Sequence, residues 1–269
     1  MKATLLVATY EMPRHLELVC AALDGQSTKR FEVIFCDDGS GEATRYVIEE
    51  FKKRAAIQVH HLWQEHHGFR KCRILNEGLR RSRGDLLIFL DGDCVPHRDY
   101  VRDHIDLQEP GSYCAGRRVE LGPKVSHQLD PNKVRQGFFT RPSGAMLWSL
   151  IKGDSTRIQR AIRVPWDLVR SSLRMNRIDD LMGCNYSVTR EDLVAINGFD
   201  EDYEGYGRED TDVEIRLQNL GLRIKSLKGK ALQFHVWHPR REFTSANEAR
   251  LKEARESRRI RCSRGMKRD

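Results

Sequence analysis

An α/β fold, with a mostly parallel sheet flanked by helices, is what this 269-residue sequence predicts. Three observations carry the prediction. Over about the first 120 residues short apolar runs alternate with stretches of helical periodicity, the pattern of strands joined by crossover helices. Three of those runs end directly in polar or acidic residues. After about residue 130 the text turns arginine-rich, which predicts a helical insertion rather than more sheet.

Taken in order, runs 4–8, 31–36, 57–62 and 85–90 predict strands. Between the first two, Leu16, Val19, Cys20 and Leu23 fall at i, i+3, i+4 and i+7, and Pro13 sits where a first helical turn tolerates it, so a βαβ unit opens the chain. Residues 70–81 predict a helix with Ile74, Leu75 and Leu79 inward, stopped by Gly84 before the next strand. In the insertion, about 130–178, Arg157, Arg160, Arg163, Arg170, Arg174 and Arg177 interleave with Trp148, Ile158, Ile162, Trp166, Leu168 and Leu173. Thr189 and Asp192 form a capping box for a short helix that Gly198 ends. Val213, Leu217 and Leu220 mark another, closed by Gly221, and 223–227 and 231–234 predict late strands.

With 39% apolar residues the chain supports one sizeable core and not two independent domains. Its longest uncharged apolar-leaning stretch, 142–151, is about half of the ~20 residues a membrane span needs, and the N-terminus lacks a basic-then-apolar signal pattern. A cytoplasmic protein is expected. Seven scattered cysteines without a C-x-x-C spacing predict reduced core thiols, not a disulfide framework or a structural zinc site. The net charge of +8 is concentrated: 250–269 holds nine Lys/Arg against three Asp/Glu, 141–178 holds eight against two, and the remainder is slightly acidic. Two basic zones on such a body suggest an anionic partner, whether membrane surface, anionic glycolipid or nucleic acid, unless they are only solvated faces.

In an open parallel sheet, ligands sit beyond the carboxyl ends of the strands. There the first strand runs into Thr9-Tyr10-Glu11, the second into Asp37-Asp38-Gly39-Ser40 and the fourth into Asp91-Gly92-Asp93. No glycine-rich phosphate loop is present, so these ends suit a base or ribose and a metal. D-x-D occurs three times, at Asp91/Asp93, Asp200/Asp202 and Asp210/Asp212, and 20 aspartates produce such pairs by chance. Only Asp91/Asp93 follows five apolar residues, and paired carboxylates ending a buried strand make sense with a divalent cation between them. Arg70, Lys71 and Arg73 open a helix and offer positive charge to phosphates. Further on, Gly205-Tyr206-Gly207-Arg208-Glu209-Asp210 puts adjacent carboxylates at a helix start, which is also the pattern of a simple cap. His235 and His238 follow a late strand as H-x-x-H, with His235 the favoured third metal ligand.

Together these motifs resemble the family 2 glycosyltransferases with their glycosyltransferase A-type fold, over roughly residues 3 to 240. The resemblance rests on Val7 to Tyr10, Asp37 to Ser40, Gly68 through Asn76, Gly84 through Asp93, and Gly183-Cys184-Asn185-Tyr186-Ser187 through Glu201, in that order. It implies an inverting, metal-dependent transfer of a hexosyl or N-acetylhexosaminyl group from a nucleotide-sugar, a UDP-sugar first, to a hydroxyl of a glycan or glycolipid, as in polysaccharide or lipopolysaccharide synthesis. By resemblance, Thr9, Tyr10, Glu11, Asp37, Asp38, Arg70, Arg73, Asn76, Asp91, Gly92 and Asn185 bind the donor. Asp91, Asp93 and His235 would hold Mn2+ or Mg2+, and Asp210 would be the general base beside Glu209. The Gly205 to Asp210 stretch is similar to a motif of galactosyltransferases and chondroitin-type polymerases, with Tyr206 where that motif usually has Trp. No Q-x-x-R-W motif is present, so one sugar per encounter is expected.

These expectations divide the chain into a single domain over 1–240 and a basic C-terminal extension, helix or tail, over 241–269. Within the domain the donor part is about 1–125 and the acceptor and catalytic part about 179–240. The partners expected are donor, acceptor and an anionic membrane touched peripherally at its inner face, with no nucleic acid. A nucleotidyltransferase would want a Gly-rich basic loop after the first strand, which Thr9 to Pro13 is not. A non-catalytic sugar- or nucleotide-binding protein would have no need of all five of Asp91, Asp93, Glu209, Asp210 and His235.

Overall fold

The structure, a computed structural model, describes residues 1–140, 144, 148, 152–239 and 244–267. Among these the strands are β1 (Ala3–Thr9), β2 (Phe31–Asp37), β3 (Val59–Trp63), β4 (Leu86–Asp91), β5 (Cys94–Pro96), β6 (Ser112–Ala115), β7 (Arg118–Glu120), β8 (Tyr186–Thr189), β9 (Arg223–Ser226) and β10 (Gln233–His235). Seven of them form one sheet in the order β3-β2-β1-β4-β8-β6-β9. The first four are parallel, and β8 runs antiparallel to both of its neighbours.

The apolar runs are continuous because helices cover both faces of the parallel strands. Leu5, Val7, Val33 and Ile88 face one buried cluster with Leu16 and Val19 of helix α1 (Pro13–Asp24). Leu6, Ile34, Leu87 and Phe89 face the other, with Leu75 and Leu79 of the Lys71–Arg81 helix and with Val213 and Leu217. This split is the two-residue alternation of a strand. Register then fixes the chemistry: Thr9 pairs with Asp37 and Ala8 with Asp91, so the polar ends of three strands line up on one carboxyl edge.

A second, three-stranded sheet, β5-β10-β7, sits beside that edge. In it His235 pairs with Cys94 on one side and Glu120 on the other, which brings segments more than a hundred residues apart to the D-G-D turn. The late strand expected at 231–234 starts two residues on, because Ala231 has a left-handed φ of 43° and gives its N–H to Asp103 instead.

Two expectations gain detail. The described part of the 130–178 insertion holds the short helices Pro131–Arg135 and Asp167–Ser172 and a 3-10 turn at Ile158–Ala161, and residues 144 and 148 are helical as well. Its arginines serve as tethers: Arg163 pairs with Asp103, and the buried Arg170 donates to the carbonyls of Ser226 and Lys228. The rest of that insertion, within 141–151, lies outside the described residues. The basic C-terminus is no free tail either. Its helix Ser245–Ser257 packs on the helix Glu209–Asn219, Arg259 pairs with Asp200 and Asp212, and Arg264 pairs with Asp202. The two other D-x-D pairs thus serve in part as partners for this segment. All seven cysteines are buried and free. No helix among the described residues is long and apolar enough to cross a membrane.

Candidate active site

A pocket of about 640 Å³ opens at the carboxyl edge of β1 and β4, walled by β7 and by the segment after β10. Of the residues expected at the donor, Thr9, Tyr10, Glu11, Asp38, Asp91, Gly92 and Asp93 line it, and so does His235. Glu11 and Met12 both have left-handed backbones, φ 53° and 56°, a strained pair that turns the chain sharply off the end of β1. Glu11 is held there by its own N–H on Ser40 Oγ and by its carboxylate accepting from Gly41. Tyr10 stacks on His66 with centroids 4.4 Å apart and planes at 15°. Asp38 accepts from Gln64 at 2.6 Å and from the Arg70 N–H at 2.7 Å, tying the 64–70 loop to the pocket wall.

Five expected donor residues stand elsewhere. Asp37 is fully buried, accepting from Ser40 N–H and Oγ and meeting His61 at 2.9 Å, so it closes the turn that presents Asp38. Asn76 donates to the Phe199 carbonyl and to Glu201 and accepts from the Phe199 N–H, pinning the 199–201 loop. Asn185, also fully buried, donates to the carbonyls of Arg117 and Ala231. The Arg70 guanidinium turns to the Glu65 carbonyl, and Arg73 points outward from its helix. The cations that line the pocket are Lys71, Arg118 and Arg157.

The two carboxylates of the D-G-D turn diverge. Asp93 Oδ2 lies 3.0 Å from His238 Nε2 and 3.8 Å from His235 Nε2, and the two imidazole nitrogens are 3.1 Å apart. The other ring nitrogen of each histidine faces an acceptor: His235 Nδ1 is 2.9 Å from Glu120 Oε2, and His238 Nδ1 is 2.8 Å from the Pro239 carbonyl. Those acceptors require the N–H at Nδ1, which leaves both Nε2 lone pairs turned toward Asp93. Three acceptors this close repel one another unless a proton or cation lies among them. A carboxylate with two neutral imidazoles, one backed by a second carboxylate, is a donor set that suits Mn2+ or Zn2+. Without a cation, protons on the imidazoles would fill that role: burial alone would raise the Asp93 pKa, but a hydrogen bond from a protonated His238 and the charge of a protonated His235 would hold it well below the usual range. Glu120 is held at about 2, against its own burial, by His235 and Arg118.

Asp91 joins a different group. Its Oδ1 is 3.2 Å from the Lys71 ammonium, which also lies 3.6 Å from Glu209 and 3.8 Å from Asp210. Asp91 therefore does not complete the Asp93–His235 set; His238 does, within the same 4.8 Å span. Glu209 and Asp210 open the Glu209–Asn219 helix behind Lys71, with Arg208 at φ 78° setting the turn into it. Asp210 fits only because residue 183 is glycine: a Cβ there would stand 1.6 Å from Asp210 Oδ2. Burial raises the Asp210 pKa to about 7, helped by Glu209 and Asp91 and opposed by Lys71. Burial works against the Lys71 ammonium, yet Asp210, Asp91 and Glu209 outweigh it and lift its pKa well above the ordinary lysine value. A carboxyl poised near neutrality with 20% of its side chain exposed is equipped to take a proton.

His238, Glu120 and Lys71 were within reach of the sequence only in part. The H-x-x-H spacing pointed to His238 and the basic helix start to Lys71, whereas nothing local marks Glu120, which a long-range strand pairing delivers.

Comparison with known proteins gives the family and the fold. Residues 4–164 match the family described as Glycosyl transferase family 2, and residues 169–239 match the N-terminal domain of galactosyltransferase. Chondroitin synthase of Pasteurella multocida is 24% identical over 91% of this chain and 26% of its own length. Validoxylamine A glucosyltransferase of Streptomyces hygroscopicus is 26% identical over 81% of this chain and 52% of its own. The chain thus spans a quarter to about half of these curated relatives. Among solved structures, a mannosyltransferase from Pyrobaculum calidifontis in complex with GDP-Man and Mn2+ superposes with a TM-score of 0.61 at 17% identity, over 95% of this chain and 63% of that one. That likeness places the fold among the glycosyltransferase A-type structures.

Proposed function

The chain belongs to glycosyltransferase family 2, and from that premise we propose that it transfers a sugar from a nucleotide-sugar, a UDP-sugar first, to a hydroxyl of a glycan or glycolipid, with a divalent cation and with inversion. One observation carries the reading: Asp93, His235 and His238 turn three lone pairs to one point at the strand edge where Thr9, Tyr10 and Asp38 also lie. A cation held there would draw charge from the leaving diphosphate as a Lewis acid. The complex of the similar mannosyltransferase with GDP-Man and Mn2+ supports this reading.

The chain's own residues supply the rest of the reading. Tyr10 and Asp38 bound the end of the pocket that takes the base and ribose. Arg118, Arg157 and Lys71 face the phosphates, in place of the expected Arg70 and Arg73. Asp210 is the general base, with Glu209 beside it and Lys71 orienting both. A single base acting on the acceptor hydroxyl opposite the leaving group gives inversion, and no second nucleophilic carboxylate is needed. Tyr206 and Trp237 both line the pocket, so Trp237 offers the sugar-stacking surface that a tryptophan at position 206 would otherwise provide. Residues 1–240 carry the reaction in this reading, and the docked C-terminal segment buttresses the catalytic helix.

Incubation with a panel of UDP- and GDP-sugars, with Mn2+ or with EDTA, tests the proposal through the nucleotide released. Release from a UDP-sugar that needs Mn2+ and disappears in Asp93→Asn is the expected result. Release unaffected by EDTA would remove the cation from the reading, and release from GDP-sugars alone would change the donor.

A further inference from the structure

The helix Asp167–Ser172 is fastened to the body through Arg170 and through the pair of Asp167 with Lys230, and its apolar side chains face solvent. The buried Arg170 side chain reaches under it to the carbonyls of Ser226 at 2.7 Å and Lys228 at 3.0 Å. Leu168, about half a helical turn away from Arg170, is 86% exposed, Trp166 66%, Leu173 58% and Val169 42%. Ile162, just ahead, is 51% exposed. Five large apolar side chains within twelve residues are thus presented to solvent by an element that is firmly anchored. Scattered single apolar residues need no explanation, but a run of this kind marks an interaction surface.

Charge indicates what it meets. Of the six arginines in residues 157–177, Arg157 pairs with Glu120, Arg160 donates to the Arg118 carbonyl, Arg163 pairs with Asp99 and Asp103, and Arg170 is buried. Arg174 and Arg177 remain; they follow the exposed leucines and are themselves exposed, while the single acid of the stretch, Asp167, is paired with Arg170 and Lys230. Exposed tryptophan and leucine beside outward arginines is the chemistry of a lipid interface, where the apolar groups enter the acyl boundary and the guanidinium groups meet anionic headgroups. The segment is also continuous with the pocket, because Asp154, Thr156 and Arg157 line the pocket a few residues before Ile162.

We propose that Ile162, Trp166, Leu168, Val169 and Leu173 form a docking surface for an anionic membrane, which brings the pocket to lipid-borne acceptors. The binding itself stands on the exposed patch; only the words "lipid-borne acceptors" rest on the function proposed above. The C-terminal basic segment lacks such a patch: Arg259 and Arg264 are tethered to Asp200, Asp202 and Asp212, and among its described residues Ile260 is the large apolar side chain left exposed.

The test is co-sedimentation of the full chain with vesicles of phosphatidylcholine alone and of phosphatidylcholine with phosphatidylglycerol, at low and high salt. Binding to the anionic vesicles is expected, with Trp166→Ser/Leu168→Ser weakening it more than about tenfold at either salt. Arg174→Gln/Arg177→Gln should weaken it mainly at low salt and flatten the salt dependence. Failure of the unaltered chain to bind anionic vesicles at low salt overturns the proposal, and so does equal binding by the apolar double variant. A dimer in analytical ultracentrifugation that Leu168→Ser dissolves, without any loss of vesicle binding, assigns the patch to a second copy and also overturns it. Mn2+-dependent nucleotide release in the same variants keeps the two readings apart: loss of vesicle binding with release intact strikes only the membrane surface. Vesicle binding with no release from any donor strikes only the proposed function.

Discussion

Asp91 and Asp93 are separated by one glycine and live in different electrostatic company. Asp93 faces two imidazoles whose lone pairs turn toward it, while Asp91 faces an ammonium shared with Glu209 and Asp210. With neutral imidazoles the first group lacks positive charge of its own; the second carries its own. On the proposed function, a single turn of D-G-D therefore separates a site that a cation would complete from one that a lysine already completes, and spacing alone does not distinguish them.

The sharpest way to break this contrast is Asp93→Asn. It should lower nucleotide release by about 10³-fold, the several kcal/mol that a Lewis acid supplies, and calorimetry should find UDP affinity no longer raised by Mn2+. Asp210→Asn should cost ~10²- to 10⁴-fold in transfer rate while leaving Mn2+-dependent UDP affinity nearly unchanged. A variant of Asp210 that loses nucleotide binding, or one that keeps its rate, would merge the two groups or move the base elsewhere.

Glu120→Gln tests the same contrast one step out. It weakens the acceptor that fixes the His235 tautomer, and a ~10- to 100-fold loss of Mn2+ affinity is expected with the rate restored at high Mn2+. On the other side, Lys71→Gln should leave Mn2+ affinity in place and destabilise the fold by about 3 kcal/mol, because it strands buried carboxylates, readable as a lowered Tm.

The smallest effect is a shift in pH dependence. As the proposed base, Asp210 would act only when ionised, and burial raises its pKa to about 7, so the rate should climb as pH rises through that value. Lys71 is the group that opposes the upward shift, so Lys71→Gln should move the climb to higher pH. The linkage to stability runs the other way. A folded-state pKa above the ordinary 3.8 means that ionising Asp210 costs stability as pH rises from about 4 to about 7. Above that range Asp210→Asn should have a higher Tm than the unaltered chain, even as it loses activity.

What was legible in the sequence follows from where the information resides. Strands β1 to β4 announce themselves because both of their faces are covered, leaving unbroken apolar text, and the polar ends of β1, β2 and β4 mark the pocket edge. Strands β5, β7 and β10 are three residues each and owe their existence to one another across long separations. The late run 231–234 anticipates β10 two residues early, but no local pattern gives β5 or β7 away, and Glu120 went unseen with them. Asn76 and Asn185 have the look of ligand-binding amides, yet each spends its hydrogen bonds on loop backbone. The two basic zones read alike by composition. Only the folded chain shows that each spends part of its charge on tethers, Arg259 and Arg264 on Asp200 and Asp202 and Arg163 on Asp103, and that Arg174 and Arg177 stay outward after the exposed Trp166 and Leu168.

Gly183 has a bearing on how variation at this site will be read. The volume where its side chain would stand is already occupied by the Asp210 carboxylate, so the two positions are not free to drift independently. An alanine scan would score Gly183 among the most damaging positions, and a reader of that scan would credit a residue with no functional group. Pairing Gly183→Ala with a shorter or missing side chain at 210 should recover the fold that Gly183→Ala alone loses, and only the fold. That non-additivity would show the glycine to be a void kept open for its neighbour.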